Sequence, residues 1–172
     1  QHLLEDTRAF VELLLKSNIP VPLVVGIPYS VKDSVVRKLE NLGVSTLVPD
    51  MDKIDDVMRL HGTRIHQEGR RFILHEVGGY CAELFACGSV MRNACIGVVE
   101  ETKQGLWRYE KSPDLSVPVL QFADCGLKSL ESEFVGRAVA RSLDQDLAEL
   151  GRSIESARIG VIGFGDIGSG VA

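Results

Sequence analysis

The segment from residue 157 to residue 170 restricts the possible folds of this chain more than any other feature. An apolar run at 158–162 leads directly into Gly163-Phe164-Gly165-Asp166-Ile167-Gly168. In such a sequence the first glycine permits a tight turn, the second lets a pyrophosphate approach the backbone, and the third allows close packing of helix and strand. The pattern predicts a strand, a turn and a helix that open a dinucleotide-binding βαβ unit, although glycine-rich turns also occur for purely structural reasons.

The rest of such a unit is not contained in this sequence. A βαβ unit takes about 30 residues, and an acidic residue that holds the ribose follows the glycines by roughly 20 positions. The chain begins at Gln1 and its last residue is Ala172. We therefore expect a piece of a longer enzyme, in which residues 151–172 begin a Rossmann NAD-binding domain.

Composition restricts the class of protein. Of the 172 residues, 45% are hydrophobic and 25% are charged, which is typical of a globular protein with one compact domain. The net charge of -5 without a basic stripe disfavours nucleic-acid binding, and no apolar run is long enough for a membrane span. The four cysteines (Cys81, Cys87, Cys95 and Cys125) match no zinc-binding spacing, so we expect reduced thiols in a cytoplasmic protein and no metal site.

Predicted strands and helices alternate along the chain. The strands are predicted at 21–27, 44–48, 71–75, 95–99, 117–122 and 158–162, and the helices at 3–17, 33–42, 52–67, 80–86 and about 130–150. Near-continuously apolar strands are typical of a parallel sheet covered on both faces. The expected fold class is therefore α/β, with a doubly wound parallel-sheet substrate domain over residues 1–150 that includes the long linking helix.

Polar residues and glycines follow directly after several predicted strands. In a doubly wound sheet the ligand lies at the carboxyl ends of the strands, so these positions are candidates for a binding cleft. They are Pro28-Tyr29-Ser30, His75-Glu76-Val77-Gly78-Gly79, Glu100-Glu101-Thr102 and Asp124-Cys125.

Several of these segments resemble adenosylhomocysteinase (S-adenosylhomocysteine hydrolase). Phe72-Ile-Leu-His-Glu-Val-Gly-Gly79 is similar to the family's Ile-Leu-Asp-Asp-Gly-Gly-Asp, and Gly97-Val-Val-Glu-Glu-Thr-Lys-Gln-Gly105 resembles its Ser-Glu-Glu-Thr-Thr-Thr-Gly loop. Pro118-Val-Leu-Gln-Phe-Ala-Asp-Cys-Gly-Leu-Lys-Ser129 resembles Pro-Ala-Ile-Asn-Val-Asn-Asp-Ser-Val-Thr-Lys-Ser, and Gly163-Phe-Gly-Asp-Ile-Gly-Ser-Gly170 resembles Gly-Tyr-Gly-Asp-Val-Gly-Lys-Gly. The resemblance covers residues 72–172 well and residues 21–71 loosely.

The resemblance implies a function and a set of site residues. In the family, tightly held NAD oxidises the 3′-hydroxyl of a nucleoside, the C4′ proton becomes acidic, the thiol leaves, water adds and the ketone is reduced again. By position, Glu101 would bind ribose hydroxyls, Lys128 would assist deprotonation of the 3′-oxygen, and Asp124 would orient Lys128. Thr102 and the loop residues Gly163, Gly165, Asp166, Ile167, Gly168, Ser169 and Gly170 would contact NAD. The purely structural alternatives are a solvated loop acid for Glu101, an exposed lysine at a helix start for Lys128, and a helix N-cap for Asp124.

The chain departs from the family at several positions that matter for catalysis. Val77 and Tyr80 stand where the family has aspartates, and Pro28-Tyr29-Ser30 replaces its His-Met-Thr segment. Ser132, Glu133 and Arg137 occupy the positions of a ribose-holding aspartate, an NAD-contacting asparagine and a cysteine near the nicotinamide.

Substitutes for the lost groups are available at the predicted substrate site. Its candidate residues are His75, Glu76, Ser30 and Ser132. Because neighbouring residues of a strand point to opposite faces, His75 and Glu76 cannot both point into the cleft while the strand persists. Glu131 is a further candidate that could replace Ser132.

These observations lead to one main functional hypothesis and several alternatives. The main hypothesis is an adenosylhomocysteinase-like NAD enzyme of one-carbon metabolism, cytoplasmic and homo-oligomeric, that acts on a nucleoside such as adenosine or S-adenosylhomocysteine. An epimerase or lyase acting on another nucleoside or sugar, and a non-catalytic NAD-binding regulatory paralogue, are the alternatives. A 2-hydroxy-acid dehydrogenase is disfavoured, because the Glu100-Glu101-Thr102 loop does not belong to that family.

Overall fold

The chain folds into two compact units, of which the first contains helices and all the described strands and the second contains helices without strands. A computed structural model describes residues 1–85, 89–112 and 114–172, and the units are Gln1–Gln121 and Phe122–Ala172. Over these residues the α-helices are α1 (Glu5–Lys16), α2 (Asp33–Asn41), α3 (Ile54–Gln67), α4 (Met91–Ala94), α5 (Lys103–Lys111), α6 (Gly126–Glu149) and α7 (Asp166–Val171). The strands are β1 (Leu23–Val25), β2 (Ser45–Leu47), β3 (Phe72–Glu76), β4 (Cys95–Glu100) and β5 (Val119–Gln121). The boundary between the units precedes the long helix α6, which the sequence analysis assigned to the first domain.

All strand pairs in the described residues are parallel, as predicted, but the strands lie in two sheets. One sheet has the order β1-β2 and the other has the order β3-β4-β5. The edge of β1 opposite to β2 is already hydrogen-bonded to Gln1, whose backbone nitrogen donates to Val25 at 2.7 Å and whose carbonyl accepts from Ile27 at 2.9 Å. Because these backbone groups are used, β1 and β3 do not pair directly. The α/β class is therefore confirmed, and one continuous sheet is not observed.

Each sheet has its own hydrophobic core. Beside β1 and β2, six buried side chains pack together, namely Leu3, Val11, Val24, Val35, Leu39 and Val44. They come from the apolar faces of α1 and α2 and from the strand region, which is the expected result of helical periodicity against a sheet. Around β3 and β4 a second core contains Cys81, Leu84, Phe85, Met91, Val98 and Tyr109 among its buried residues.

The structure corrects several predicted elements. Residues 158–162 were predicted to be a strand, but they form no strand, and Ile159, Val161 and Ile162 are exposed. A strand requires a partner for its backbone groups, and in the described structure this run has none. The predicted helix at 80–86 is a short 3₁₀ helix, Ala82–Phe85, and residue 86 lies outside the described residues. The helices α4 and α5 were not predicted.

Two further predictions concern the cysteines and the membrane. The three described cysteines, Cys81, Cys95 and Cys125, carry free thiols, and Cys87 lies outside the described residues. Burial raises the pKa of the Cys95 thiol to about 11, so this sulfur stays protonated near neutral pH. Within the described ranges, no helix combines the length and the apolar character that crossing a membrane requires.

Candidate functional site

The carboxyl ends of β3 and β4 are joined by a buried carboxylate. Glu100 is fully buried, and its side chain accepts hydrogen bonds from the backbone nitrogens of Gly78 and Gly79, each at 3.0 Å. It also accepts from the backbone nitrogen and the hydroxyl of Thr102, both at 2.7 Å. Gly78 and Gly79 have φ angles of 95° and 62°, which glycine adopts readily and which turn both amides toward the carboxylate. Sequence reasoning placed Glu100 among the polar residues that follow the predicted strands but gave it no role in the site.

Thr102 completes the network at the start of α5. Its hydroxyl accepts from the backbone nitrogens of Gly105 and Gly78, both at 3.0 Å, while it donates to Glu100. A threonine hydroxyl has one hydrogen to donate and two lone pairs, so its capacity is used within this network. The expected contact between Thr102 and NAD stays a prediction.

Glu76 is directed to the interior of the first unit. It is buried, and its carboxylate accepts from the hydroxyl of Tyr109 and from the backbone nitrogen of Cys81 at 3.2 Å. Burial raises the pKa of the Glu76 carboxyl, and the hydrogen bond from Tyr109 acts in the opposite direction. The structure therefore surrounds this predicted substrate-binding residue with partners from its own domain.

His75 lies on β3 next to Glu76, and it meets Glu101, the residue that follows β4. The imidazole Nε2 is 2.8 Å from Oε1 of Glu101, and their side chains are 24% and 38% exposed. On its other side, the imidazole Nδ1 is 2.9 Å from the side-chain amide nitrogen of Gln1, and the ring centroid of Phe10 lies 4.8 Å away. Glu76 is buried while His75 is half-exposed, as the alternation of side chains along a strand predicts.

Two tyrosines meet where the chain leaves β1 and β3. The hydroxyls of Tyr29 and Tyr80 are 3.2 Å apart, and Tyr29 is 68% exposed. The guanidinium of Arg108 lies 4.8 Å from the ring centre of Tyr80 and donates to the carbonyl of Gly78 at 2.7 Å. Ser30, next to Tyr29, is half-buried, and its carbonyl accepts from the backbone nitrogen of Leu3 at 2.8 Å. The structure thus brings together Tyr29 and Tyr80, two positions at which the chain departs from the family it resembles.

The predicted catalytic lysine lies in the second unit, on the first turn of α6. The amine of Lys128 pairs with Glu131 at 2.7 Å, and the hydroxyl of the buried Ser132 donates to the carbonyl of Lys128 at 2.9 Å. Asp124 is exposed and precedes the helix, whose N-cap position is taken by Cys125. The orienting role of Asp124 and its capping alternative both stay predictions.

The glycine-rich segment forms the predicted turn and helix. Gly163 has a φ angle of 95°, and a Cβ atom built on Gly168 would lie 2.1 Å from the carbonyl oxygen of Gly163. Gly165 is extended and precedes α7, and Asp166 is the first residue of that helix. Gly170 packs on Gly136 of α6, where an added Cβ would lie 2.4 Å from the Gly170 carbonyl carbon. Side chains larger than glycine are therefore excluded where α7 meets α6 and where the turn closes.

An open cleft of about 460 Å³ lies beside this turn within the second unit. It is lined by Ser129, Glu133 and Arg137 of α6 and by Asp166, Ser169 and Gly170 of α7. Glu133 and Arg137 form an ion pair with an N–O distance of 2.6 Å. The cleft therefore contains three of the predicted cofactor residues, Asp166, Ser169 and Gly170, together with the ion pair of Glu133 and Arg137.

The chain matches no protein-family model, no curated protein and no solved structure. In the parts of the chain that the structure describes, no group of three histidines, cysteines or acidic residues is placed to hold a metal ion.

Proposed function

We propose that this chain belongs to an adenosylhomocysteinase-like enzyme that oxidises the ribose 3′-hydroxyl of a nucleoside transiently, with NAD as a retained cofactor. The observation that carries the proposal is the geometry of the glycine turn. Gly163 has a positive φ angle, and Gly168 lies so close to the Gly163 carbonyl that no Cβ fits. A dinucleotide-binding turn needs glycines at these positions because the pyrophosphate and the helix both approach the backbone closely. The similarity of the surrounding segments to adenosylhomocysteinase supports the choice of reaction.

The residues around the turn fit a dinucleotide. The cleft beside α7 offers Arg137 as a cation for phosphate oxygens, and the Ser169 hydroxyl, which donates to the Asp166 carbonyl at 2.8 Å, would have to rotate to reach them. The predicted contacts Gly163, Gly165, Asp166, Ile167, Gly168, Ser169 and Gly170 belong to this turn and helix. Bound NAD would supply hydride acceptance from the 3′-carbon and return of the hydride at the end of the cycle.

The chain's own residues would bind and deprotonate the sugar. Glu101 is partly exposed after β4, and its carboxylate would accept hydrogen bonds from the ribose hydroxyls. Lys128 would contact the 3′-oxygen and assist deprotonation of the 3′-hydroxyl, and a positioned proton-transfer group of this kind contributes about 10²- to 10⁴-fold. The carboxylate of Glu131, 2.7 Å from this amine, would orient it, and Asp124 would act from the preceding loop.

The proposal includes the architecture around this chemistry. Residues 1–150 would form a doubly wound substrate domain, and residues 151–172 would begin a Rossmann domain. The enzyme would be a cytoplasmic homo-oligomer that takes a small nucleoside and neither nucleic acid nor a membrane surface.

One observation favours a second candidate, an NAD-binding protein with altered or lost chemistry. The family's acidic group before the glycine pair is Val77 here, and the neighbouring Glu76 is directed to Tyr109 and Cys81 inside the domain. Elimination at C4′ and C5′ needs acid and base groups beyond those that oxidise C3′. A redox epimerase, a lyase or a regulatory paralogue would each need fewer of these groups.

The proposal is tested on the full-length protein that contains this chain. Denatured protein should release NAD, and the folded protein incubated with adenosine should develop the absorbance of NADH. Lys128→Met should lower the rate of NADH formation by about 10²-fold or more, because the group that assists deprotonation of the 3′-hydroxyl is lost. Lys16→Met, which alters an exposed lysine at the end of α1, is the control and should leave the rate unchanged. Absence of released NAD together with absence of NADH formation would contradict the proposal, and wild-type NADH formation by Lys128→Met would remove Lys128 from the chemistry.

A further inference from the structure

We propose that His75 is a positioning residue, which holds the carboxylate of Glu101 in the orientation that binds the substrate's hydroxyls. This inference rests on the proposed function, because Glu101 is the residue that would contact the ribose. It assigns to His75 a role different from that of a substitute acid or base. The hydrogen-bonding capacity of three side chains, those of Gln1, His75 and Glu101, determines this role.

The contacts of Gln1 determine which imidazole nitrogen of His75 carries the hydrogen. The side-chain nitrogen of Gln1 is a donor only, and it lies 2.9 Å from Nδ1 of His75 and 3.0 Å from the His75 carbonyl oxygen. Both of its hydrogens are used in these two contacts. Nδ1 must therefore accept, and the ring hydrogen resides on Nε2.

The carboxylate of Glu101 is held by the imidazole of His75. Since Nε2 carries a hydrogen, it donates to Oε1 of Glu101, and the distance of 2.8 Å is that of a charge-assisted hydrogen bond. The backbone of Glu101 is also attached to the sheet, because its nitrogen donates to the Glu76 carbonyl at 3.4 Å. The glutamate is thus fixed at its backbone and at its carboxylate, and its side chain remains 38% exposed for a ligand.

His75 is itself held in place by the sheet and by Phe10. His75 lies on β3, and β3 is paired with β4 at the register His75–Val99. The ring of Phe10 packs against the imidazole with a centroid separation of 4.8 Å. A side chain held by a sheet, a ring contact and two hydrogen bonds is preorganised, so Glu101 need not be ordered when substrate binds.

The same contacts argue against His75 as the acid or base that replaces the family's aspartate. A general base needs a nitrogen lone pair within hydrogen-bonding reach of the substrate proton. In His75 the Nδ1 lone pair is directed to Gln1, and the Nε2 hydrogen is directed to Glu101. Glu101 therefore contacts the substrate, and His75 acts through it.

The test compares two substitutions of His75 in the full-length protein. His75→Gln keeps a side-chain nitrogen that can donate to Glu101, whereas His75→Leu removes the donor and keeps an apolar side chain beside Phe10. We expect His75→Leu to lower kcat/KM for NADH formation from adenosine by about 10- to 100-fold, the usual effect of losing a partner that orients a functional group. His75→Gln should restore most of this loss.

A double-mutant comparison separates positioning from proton transfer. In a Glu101→Gln background, His75→Leu should cause no further loss, because the group that His75 orients is already changed. Equal damage by both His75 substitutions, or a full loss that persists in the Glu101→Gln background, would overturn the inference and favour direct proton transfer by His75.

Two readouts keep this test distinct from that of the proposed function. Imidazole ¹H–¹⁵N correlation spectra of the wild-type protein should show the His75 hydrogen on Nε2, and a hydrogen on Nδ1 alone would overturn the inference whatever the enzyme does. If the wild-type protein forms no NADH, the proposed function fails. The positioning role of His75 is then tested by adenosine affinity, which His75→Leu should lower and His75→Gln should largely restore. Adenosine affinities equal to that of the wild-type protein in both variants would overturn it. Circular dichroism establishes that each variant is folded.

Discussion

Gly105→Ala is expected to be one of the most destabilising small changes in this chain. Gly105 lies in the first turn of α5, directly over the buried carboxylate of Glu100. A Cβ added to Gly105 would lie 2.1 Å from the carboxyl carbon and 2.3 Å and 2.4 Å from its oxygens. Since ordinary contact begins at about 3.5 Å, the carboxylate would have to retreat by about 1.4 Å.

Such a retreat breaks hydrogen bonds that have no replacement. The Glu100 carboxylate has four donor contacts, at 3.0 Å to each of the two glycine amides and at 2.7 Å to the nitrogen and hydroxyl of Thr102. A hydrogen bond to a charged group contributes about 1.5–3 kcal/mol, so the loss of two costs about 3–6 kcal/mol. Alanine returns about 1 kcal/mol of helix propensity. We therefore expect the free energy of unfolding to fall by about 2–5 kcal/mol.

Urea denaturation of the variant and the wild-type protein measures this change, and hydrogen exchange localises it. The amides of Gly78 and Gly79 should exchange faster in Gly105→Ala, because their acceptor has moved. Gly126→Ala is the matched control, since no heavy atom lies within 4 Å of its added Cβ and Gly126 is also in the first turn of a helix. The stability of Gly126→Ala should stay unchanged or rise by up to about 1 kcal/mol, because only the helix propensity of alanine is added. Wild-type stability together with unchanged protection of the Gly78 and Gly79 amides in Gly105→Ala would refute the reasoning.

Two further predictions test other contacts. Tyr109→Phe removes a donor from the buried Glu76 carboxylate and should lower stability by about 1–3 kcal/mol, as measured by urea denaturation. Burial raises the pKa of Glu76 above its ordinary value of 4.5, so the native state keeps the Glu76 carboxyl proton to a higher pH than the unfolded state does. As the pH rises from about 4.5 through the native pKa, Glu76 therefore opposes folding increasingly. The deficit of Tyr109→Phe should accordingly be larger at about pH 8 than at about pH 4, and a deficit independent of pH would contradict this assignment. Gly136→Ala places a Cβ 2.4 Å from the carbonyl carbon of Gly170, which would push α7 away from α6. Amide exchange in α7 should therefore accelerate, while circular dichroism should show that α6 stays helical. Unchanged amide exchange in α7 would show that the two helices separate without loss of free energy.

Local patterns along the sequence predicted much of the fold. The apolar periodicity of residues 3–17 and 33–42 predicted α1 and α2, because a helix buries one face whatever its partner is. The β-branched runs predicted β1 to β5 to within a few residues, and the glycine spacing predicted the turn before α7. The helix α5 was missed because Gly105 weakens its helical pattern, although Thr102 is a capping residue that could have indicated its start.

The composition of the candidate site required knowledge of which segments meet. Strand alternation was sufficient to place His75 and Glu76 on opposite faces, but nothing in the sequence indicated that His75 meets Glu101 or that Tyr29 meets Tyr80. Glu100 was named among the strand-end residues but received no role of its own, although the same alternation places one member of the Glu100–Glu101 pair inward.

The sequence alone determined the positions of α1, α2, α3 and α6, those of β1 to β5, the parallel α/β class and the place of the glycine turn, because these depend on periodicity and on backbone freedom within a few residues. The tertiary structure decided which strands pair, since residues 158–162 have strand-forming side chains but no partner among the described residues, and Gln1 occupies the free edge of β1. It also decided that Glu100, the last residue of β4, is a buried anchor and that Glu101, the next residue, is a partner of His75. Such assignments depend on distances between segments far apart in the chain, and only the folded packing sets those distances.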